Sequence, residues 1–389
     1  MALEMMTTSL LTTLFPPSST PPFLHQNRTI NSSDQSWLNN STFTPIQPSG
    51  LVMSCVTMIF GIISNLTALG ILARSRVKFR HQAKASFLLL TVALLLADLG
   101  GHVIPGAFAL EMRIKLIYNI KPISKFCNVF GACMVFFGLC PLLFGCAMAV
   151  ERCVAITQPF FHASMITVAH MWRVVLFLSS LAIVLAVLPF FAVGEYKPQF
   201  PDTWCFLPIH KSEPEADTNL ALAFSCLGLT ALILSLLCNI LSSGALLRGR
   251  IKSHNAQNKV GARRGSAVSS SSLFFTLDVE VMVQLAMVTV VSCVCWGPFL
   301  IHILVVQLNH RHASAGKDGF FILALRIASW NQILDPWVYI LLRRTMLSRV
   351  CCGRYTQRST VRSSCSYTRY KASVCNDDVS LEVFSYDQK

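Results

Sequence analysis

"GACMVFFGLCPLLFGCAMAVERC" occupies residues 131–153, and its first twenty positions carry no charge. As a helix, twenty residues reach about 30 Å, the thickness of a bilayer's hydrocarbon core. The adjacent acid and base of Glu151-Arg152 end the run, where they can pair and act as a latch. Seven runs of this kind occur, at about 50–73, 87–110, 128–150, 171–193, 219–247, 279–308 and 320–342. The whole chain agrees with them. Of its 389 residues, 53% are hydrophobic and only 13% charged, against about 25% charged in soluble domains. Mean hydropathy is +0.55. The fold expected is an all-α membrane protein, a seven-transmembrane helix bundle filling one domain over residues 49–343.

The net charge is +14. In a soluble protein that would suggest nucleic acid, but its placement argues otherwise. Arg74, Arg76, Lys78, Arg80 and Lys84 follow the first run, Arg248 to Arg264 follow the fifth, and Arg343, Arg344 and Arg349 follow the seventh. Alternating spans put all three segments on one side, and positive loops remain cytosolic. The amino terminus is therefore expected outside and the carboxyl terminus inside, with no nucleic-acid partner. Residues 1–48 read as an external polar tail in which Asn27, Asn31, Asn39 and Asn40 open glycosylation triplets. Residues 249–277 read as a basic inner loop, and 344–389 as a cytoplasmic tail.

Most of the fifteen cysteines fall inside apolar runs and count as small hydrophobes. On the outer, oxidising side Cys127 and Cys205 remain, and a disulfide between them is expected. Cys351 and Cys352, just inside the membrane, are palmitoylation candidates or plain thiols. Metal-ligand spacing and nucleotide-binding glycine loops are absent, so no cofactor is expected and no enzyme.

Polar groups inside spans are costly, so each is a functional candidate. Asp98 and Asp335 sit midway in the second and seventh runs, and with Asn65 and Asn331 they suit either a hydrogen-bonded switch or a purely structural network. Pro105, Pro141, Pro189, Pro298 and Pro336 are expected to kink helices. Two of them lie beside chemistry, in "CWGP" (Trp296, Pro298) and "DPWVY" (Asp335, Pro336, Tyr339). Arg326 lies six residues past Phe320, about 9 Å down the helix. Asp335 is about 13 Å deeper, which leaves Glu111 as the internal partner within reach. Either a structural ion pair, a snorkelling side chain or a ligand anion satisfies Arg326; the planar guanidinium fork suits a carboxylate.

Taken together, the seven runs, the outer cysteine of the third run, Glu-Arg-Cys, Cys-Trp-x-Pro and Asp-Pro-x-x-Tyr resemble the rhodopsin class of G-protein-coupled receptors. "GLCPLLFG", "TWCF" and "WNQILDPWVYILLR" narrow the resemblance to the prostanoid receptors. Within that family, "GHVIPGA" looks most like the prostaglandin E receptors of the calcium-mobilising subtype, with the prostaglandin F receptor next.

The resemblance implies a plasma-membrane receptor for prostaglandin E2, or another prostanoid such as prostaglandin F2α. It also implies coupling to a heterotrimeric G protein of the Gq class, with arrestin and receptor kinases as further partners. The family's arginine matching Arg326 binds the prostaglandin carboxylate, helped by the loop threonine matching Thr203, with Trp204 beside it. His102, Met134 and Ser329 would line the site, or His102 and Met134 would merely pack. One position departs from the family: a tyrosine that usually helps hold the carboxylate is Arg113 here, with Tyr118 nearby. Activation would pass through Asp98, Glu151, Arg152, Trp296, Pro298, Asp335, Pro336 and Tyr339. A transporter or channel is the rival class; it should show broken helices in matching halves or rings of polar residues, and the sequence has neither.

Overall fold

In the computed structural model the described residues are 49–76, 82–118, 120, 124–191, 194–199, 202–208, 215–259, 268–308 and 318–361; the side chains of 49–50, 75–76, 82–84, 215–218, 253–259, 268–278, 280, 318 and 342–361 lie outside that description. Among the described residues eight α-helices follow one another: α1 (Ser49–Arg76), α2 (Gln82–Ile117), α3 (Ser124–Thr157), the short α4 (Pro159–Met165), α5 (Val168–Val187), α6 (Glu215–Lys259), α7 (Val268–Leu308) and α8 (Asp318–Val361). Between α5 and α6 lie a 3-10 turn (Leu188–Phe191) and a two-stranded antiparallel hairpin, β1 (Lys197–Gln199) and β2 (Trp204–Phe206).

Helices dominate because lipid offers no partner to a backbone N–H or C=O, and a helix satisfies both within itself. Among the described residues, six helices are long and apolar enough to cross a membrane: α1, α2, α3, α5, α6 and α7. The remaining long helix, α8, interrupts its apolar stretch with Arg326, Asn331, Gln332 and Asp335. Lipid-facing side chains such as Phe177, Ile240 and Val294 are exposed, whereas Phe130, Leu139, Met148, Phe224 and Leu300 are buried between helices.

The helices approach closely at small residues. A Cβ on Gly138 of α3 would lie 3.0 Å from the Trp296 ring, and one on Gly101 of α2 would lie 2.4 Å from the Gln332 amide. Side chains finish the seams. Ser225 of α6 donates to the Leu300 carbonyl at 2.6 Å, and Asn239 donates to Thr289 at 2.7 Å.

The Cys127–Cys205 disulfide expected from the sequence forms, with Cα atoms 5.4 Å apart. It ties β2 to the outer end of α3. Tyr196 fixes the other strand: its hydroxyl donates to the Ala186 carbonyl at 2.9 Å, and its ring fills the space beside Gly131. Burial pushes the Tyr196 hydroxyl's pKa up, so it stays a proton donor.

Three boundaries differ from the sequence reading. Pro189 does not kink a helix. Helix α5 ends at Val187 and Pro189 sits in the 3-10 turn, consistent with its missing N–H. The basic inner segment 249–277 is largely helical, since α6 runs to Lys259 and α7 begins at Val268. Helix α8 continues past 343 to Val361, and the side chains of Cys351 and Cys352 are outside the description. Asn27, Asn31, Asn39 and Asn40 also lie outside the described residues.

Candidate functional site

At the inner face, Glu151 is buried at the end of α3. Its Oε1 accepts from Arg152 Nη2 at 2.6 Å and its Oε2 from Arg152 Nε at 2.5 Å, and His162 Nε2 lies 2.9 Å from the same Oε1. The pairing of Glu151 with Arg152 follows the sequence reading. His162 is an addition: α4 begins at Pro159 and turns this buried histidine back onto the acid. The Arg152 guanidinium also covers the Phe87 ring at 5.0 Å.

Deeper in the bundle, Asp98 and Asp335 are both buried and within electrostatic reach of each other. The expected four-residue hydrogen-bonded network is only partly made. Asn331 donates to Asp335 at 2.9 Å. Asn65 instead donates to the carbonyls of Gly61 and Gln332, at 3.0 Å each, and so seams α1 to α8. Both Asp98 oxygens and one of Asp335 lack a partner among the described residues. Tyr339 donates to Met148 Sδ at 3.6 Å, linking "DPWVY" to α3. Pro298 and Pro336 lie inside their helices, and Trp296 is buried against Gly138.

The outer candidates fall into two adjoining groups. In the first, Met134 lies on the face of α3 between Gly131, which meets Tyr196, and Gly138, which meets Trp296. Trp204 is buried, its ring 5.6 Å from Phe321 of α8. Phe321 in turn stacks on Phe299 at 5.3 Å, and Phe299 meets Phe206 at 5.8 Å. This aromatic wall joins the hairpin to α7 and α8, one helical turn and a residue above Arg326. Sequence reading missed Phe206, Phe299 and Phe321, because phenylalanines in apolar runs carry no signal that separates lining from packing. Thr203, before Trp204, is half-buried in the turn.

The second group faces α1. His102 of α2 lies against Gly61, whose added Cβ would be 2.4 Å from the ring. Its Nε2 has no hydrogen-bond partner among the described residues. Ser329 donates to the Arg326 carbonyl at 2.7 Å and is thus tied to its own helix. Arg326 is exposed, and the same stripe of α8 two and four turns deeper holds Ile333 and Ile340, 2% and 7% exposed. Residues seven apart share a helix face to within about 20°. Arg326 is therefore exposed at the outer end of a face whose deeper residues are packed between helices. The expected alternative partner is ruled out in this arrangement: Glu111 bonds Lys115 at 2.7 Å on the surface of α2. Arg326 has no ion pair among the described residues. Tyr118 is 71% exposed at the end of α2 and does not reach inward.

The chain matches the model of the seven-transmembrane receptors of the rhodopsin family over residues 64–339. The mouse (Mus musculus) prostaglandin E2 receptor EP1 subtype is 39% identical over 347 residues, covering 80% of this chain and 84% of its own. The human (Homo sapiens) prostaglandin F2-alpha receptor is 37% identical over 338 residues, covering 85% and 90%. The crystal structure of squid rhodopsin aligns with a TM-score of 0.64 at 14% identity, covering 87% of this chain and 94% of its own, which speaks for the fold alone. A seven-helix bundle with this match, and with relatives at this identity across most of its length, belongs to the rhodopsin-family G-protein-coupled receptors and, among them, to the prostanoid receptors of the plasma membrane.

Proposed function

We propose that this receptor binds prostaglandin E2 between its helices and, so loaded, activates a Gq-class G protein, phospholipase C and calcium release. The observation that carries the ligand class is Arg326. Its side chain is exposed inside a spanning helix and makes no ion pair among the described residues. Leaving an arginine uncompensated at membrane depth costs up to about 3 kcal/mol on insertion scales, and a ligand's carboxylate removes that cost. In this reading the acid sits on Arg326 with Thr203 assisting. The chain then runs past Trp204 and Ser329 toward Met134, and the His102 Nε2, which has no hydrogen-bond partner among the described residues, meets an oxygen of the ligand ring.

Ligand binding shifts the population of the bundle rather than building a new fold. The inner pair Glu151–Arg152 and the kinked segments at Pro298 and Pro336 would carry the shift, and arrestin and receptor kinases would read the same inner face. The basic segments favour a cytosolic inner face and an external amino terminus. Residues 1–48 would carry sugars, and Cys351 and Cys352 acyl chains.

Prostaglandin F2α is the second reading. It is favoured by a human F2-alpha receptor that matches a larger share of the chain than the mouse E2 receptor does, at similar identity. The test is a calcium titration with both ligands on wild type and Arg326→Ala at equal surface expression. Loss of a bidentate charge-assisted contact lowers potency by about 100-fold. Unchanged potency in the variant would contradict the salt bridge, and a cyclic AMP rise without calcium would contradict the coupling.

A further inference from the structure

Two free thiols meet across the seam of α3 and α6. Cys153 directly follows the Glu151–Arg152 pair and is half-buried, while Cys238 of α6 is buried. Their level follows from the packing above them. A Cβ on Gly138 of α3 would lie 3.6 Å from the Phe224 ring of α6, and one on Gly228 of α6 would lie 3.5 Å from Leu142 of α3. Four residues separate these contacts along each helix, so α3 and α6 run in the same direction and in step. Cys153 is fifteen residues past Gly138 and Cys238 fourteen past Phe224, about 22 and about 21 Å along their helices. Residues seven apart share a face to within about 20°. Cys238 therefore continues the buried stripe of Phe224 and Ala231, and Cys153 that of Leu139 and Cys146. The Cys153 and Cys238 side chains come within hydrogen-bonding reach of each other. Cys146, two turns further out, is engaged with Ser235 instead.

A reducing cytosol keeps such a pair as thiols, but two sulfurs in contact lack only an oxidant. We propose that Cys153 and Cys238 close a reversible disulfide on meeting hydrogen peroxide, tying α3 to α6 beside the Glu151–Arg152 latch. Half-buried Cys153 is the sulfur that peroxide reaches first. Its thiolate takes one peroxide oxygen, the O–O bond breaks and hydroxide leaves, giving a sulfenic acid. The Cys238 thiolate then attacks that sulfur, the S–O bond breaks and a second hydroxide leaves. The two hydroxides take up the two thiol protons. In sum, two thiols lose two electrons and two protons, and one peroxide becomes two waters. Glutathione-class thiols reverse the bond by exchange. Next to Cys238, Asn239 donates to Thr289 of α7 at 2.7 Å. The disulfide therefore joins α3 to the α6–α7 seam two residues from Glu151, and the inner end opens less readily to a G protein. This consequence rests on the receptor reading above; the disulfide itself does not.

The bond is tested on the full-length receptor in cell membranes. Hydrogen peroxide is added, remaining thiols are blocked with N-ethylmaleimide, and unreduced peptides are mapped by mass spectrometry. The Cys127–Cys205 pair, present with and without peroxide, shows that linked peptides are recovered. A second linked pair is expected, Cys153 with Cys238, absent without peroxide and lost on reduction. Cys238→Ser should leave Cys153 as a sulfenic acid that dimedone captures, and Cys146→Ser should leave the link unchanged. Cys153 and Cys238 both blocked by maleimide after peroxide, or Cys238 linked to Cys146 instead, overturns the proposal. The signalling consequence is read from calcium responses to prostaglandin E2 once peroxide is washed out, at matched surface expression. Wild type is expected to lose maximal response severalfold and Cys238→Ser to keep it; an equal loss in both overturns the lock. If wild type responds to no prostanoid, the prostanoid reading has failed, and the melting temperature of the purified receptor reads the lock instead. Peroxide should raise it by several degrees in wild type and not in Cys238→Ser. An equal shift in both, or none in wild type, overturns the lock.

Discussion

A guanidinium six residues inside a spanning helix can lower its energy by pairing with an acid, by reaching water, or by taking an anion from outside. Here the acid expected from the sequence is engaged elsewhere, since Glu111 holds Lys115, and Arg326 makes no ion pair among the described residues. Glu151 is the opposite case. It is a buried acid with two basic neighbours, Arg152 and His162, and removing one partner of a buried charge costs about 3–5 kcal/mol. Glu151→Gln is therefore expected to free Arg152 and raise agonist-independent calcium signalling. His162→Ala, which leaves the Arg152 pair intact, should raise it less. Basal inositol phosphate accumulation at matched expression checks both, and an equal or reversed order would contradict the stated arrangement. The pairing of Glu151 with Arg152 was legible in "ERC". The role of His162, eleven residues after the acid, was not, because it depends on how α4 turns back from Pro159.

At the scale of elements, the outer hairpin is held by two unrelated devices. The Cys127–Cys205 disulfide was legible because the charge pattern left those two cysteines on the side expected to be outer and oxidising. The Tyr196 ring in the notch of Gly131 was not, because a lone glycine in an apolar run has many readings. Gly131→Ala would put a Cβ 2.2 Å from the Tyr196 ring, and overpacking of this kind costs about 1–3 kcal/mol. The variant should melt several degrees lower and bind ligand more weakly, while its disulfide still forms. A wild-type melting temperature would show that Tyr196 is free to move away. Removing the disulfide with Cys127→Ser should be harsher, at about 2–5 kcal/mol, with loss of surface expression as the measurement. Element limits were the least legible feature. Helices α6 and α7 run on into the basic segment, past their apolar runs, because polar residues with no proline among them extend a helix as readily as they form a loop.

For the whole molecule, the seven runs and their charges were enough for the bundle, because the bilayer leaves the backbone few choices. The site was legible where a residue breaks the pattern, as Arg326 and Asp335 do, and illegible where it conforms, as in the aromatic wall of Phe206, Phe299 and Phe321. The sequence reading set Arg113 beside Arg326, at the position where the family's carboxylate-holding tyrosine stands. The central claim is that this receptor selects its lipid by the acid. Calcium responses to prostaglandin E2 and its methyl ester, measured side by side on wild type and Arg326→Ala at equal surface expression, test it most directly. The account predicts that wild type prefers the acid over the ester by about 100-fold and that Arg326→Ala erases the preference; an acid-to-ester ratio that is the same in both receptors would contradict it.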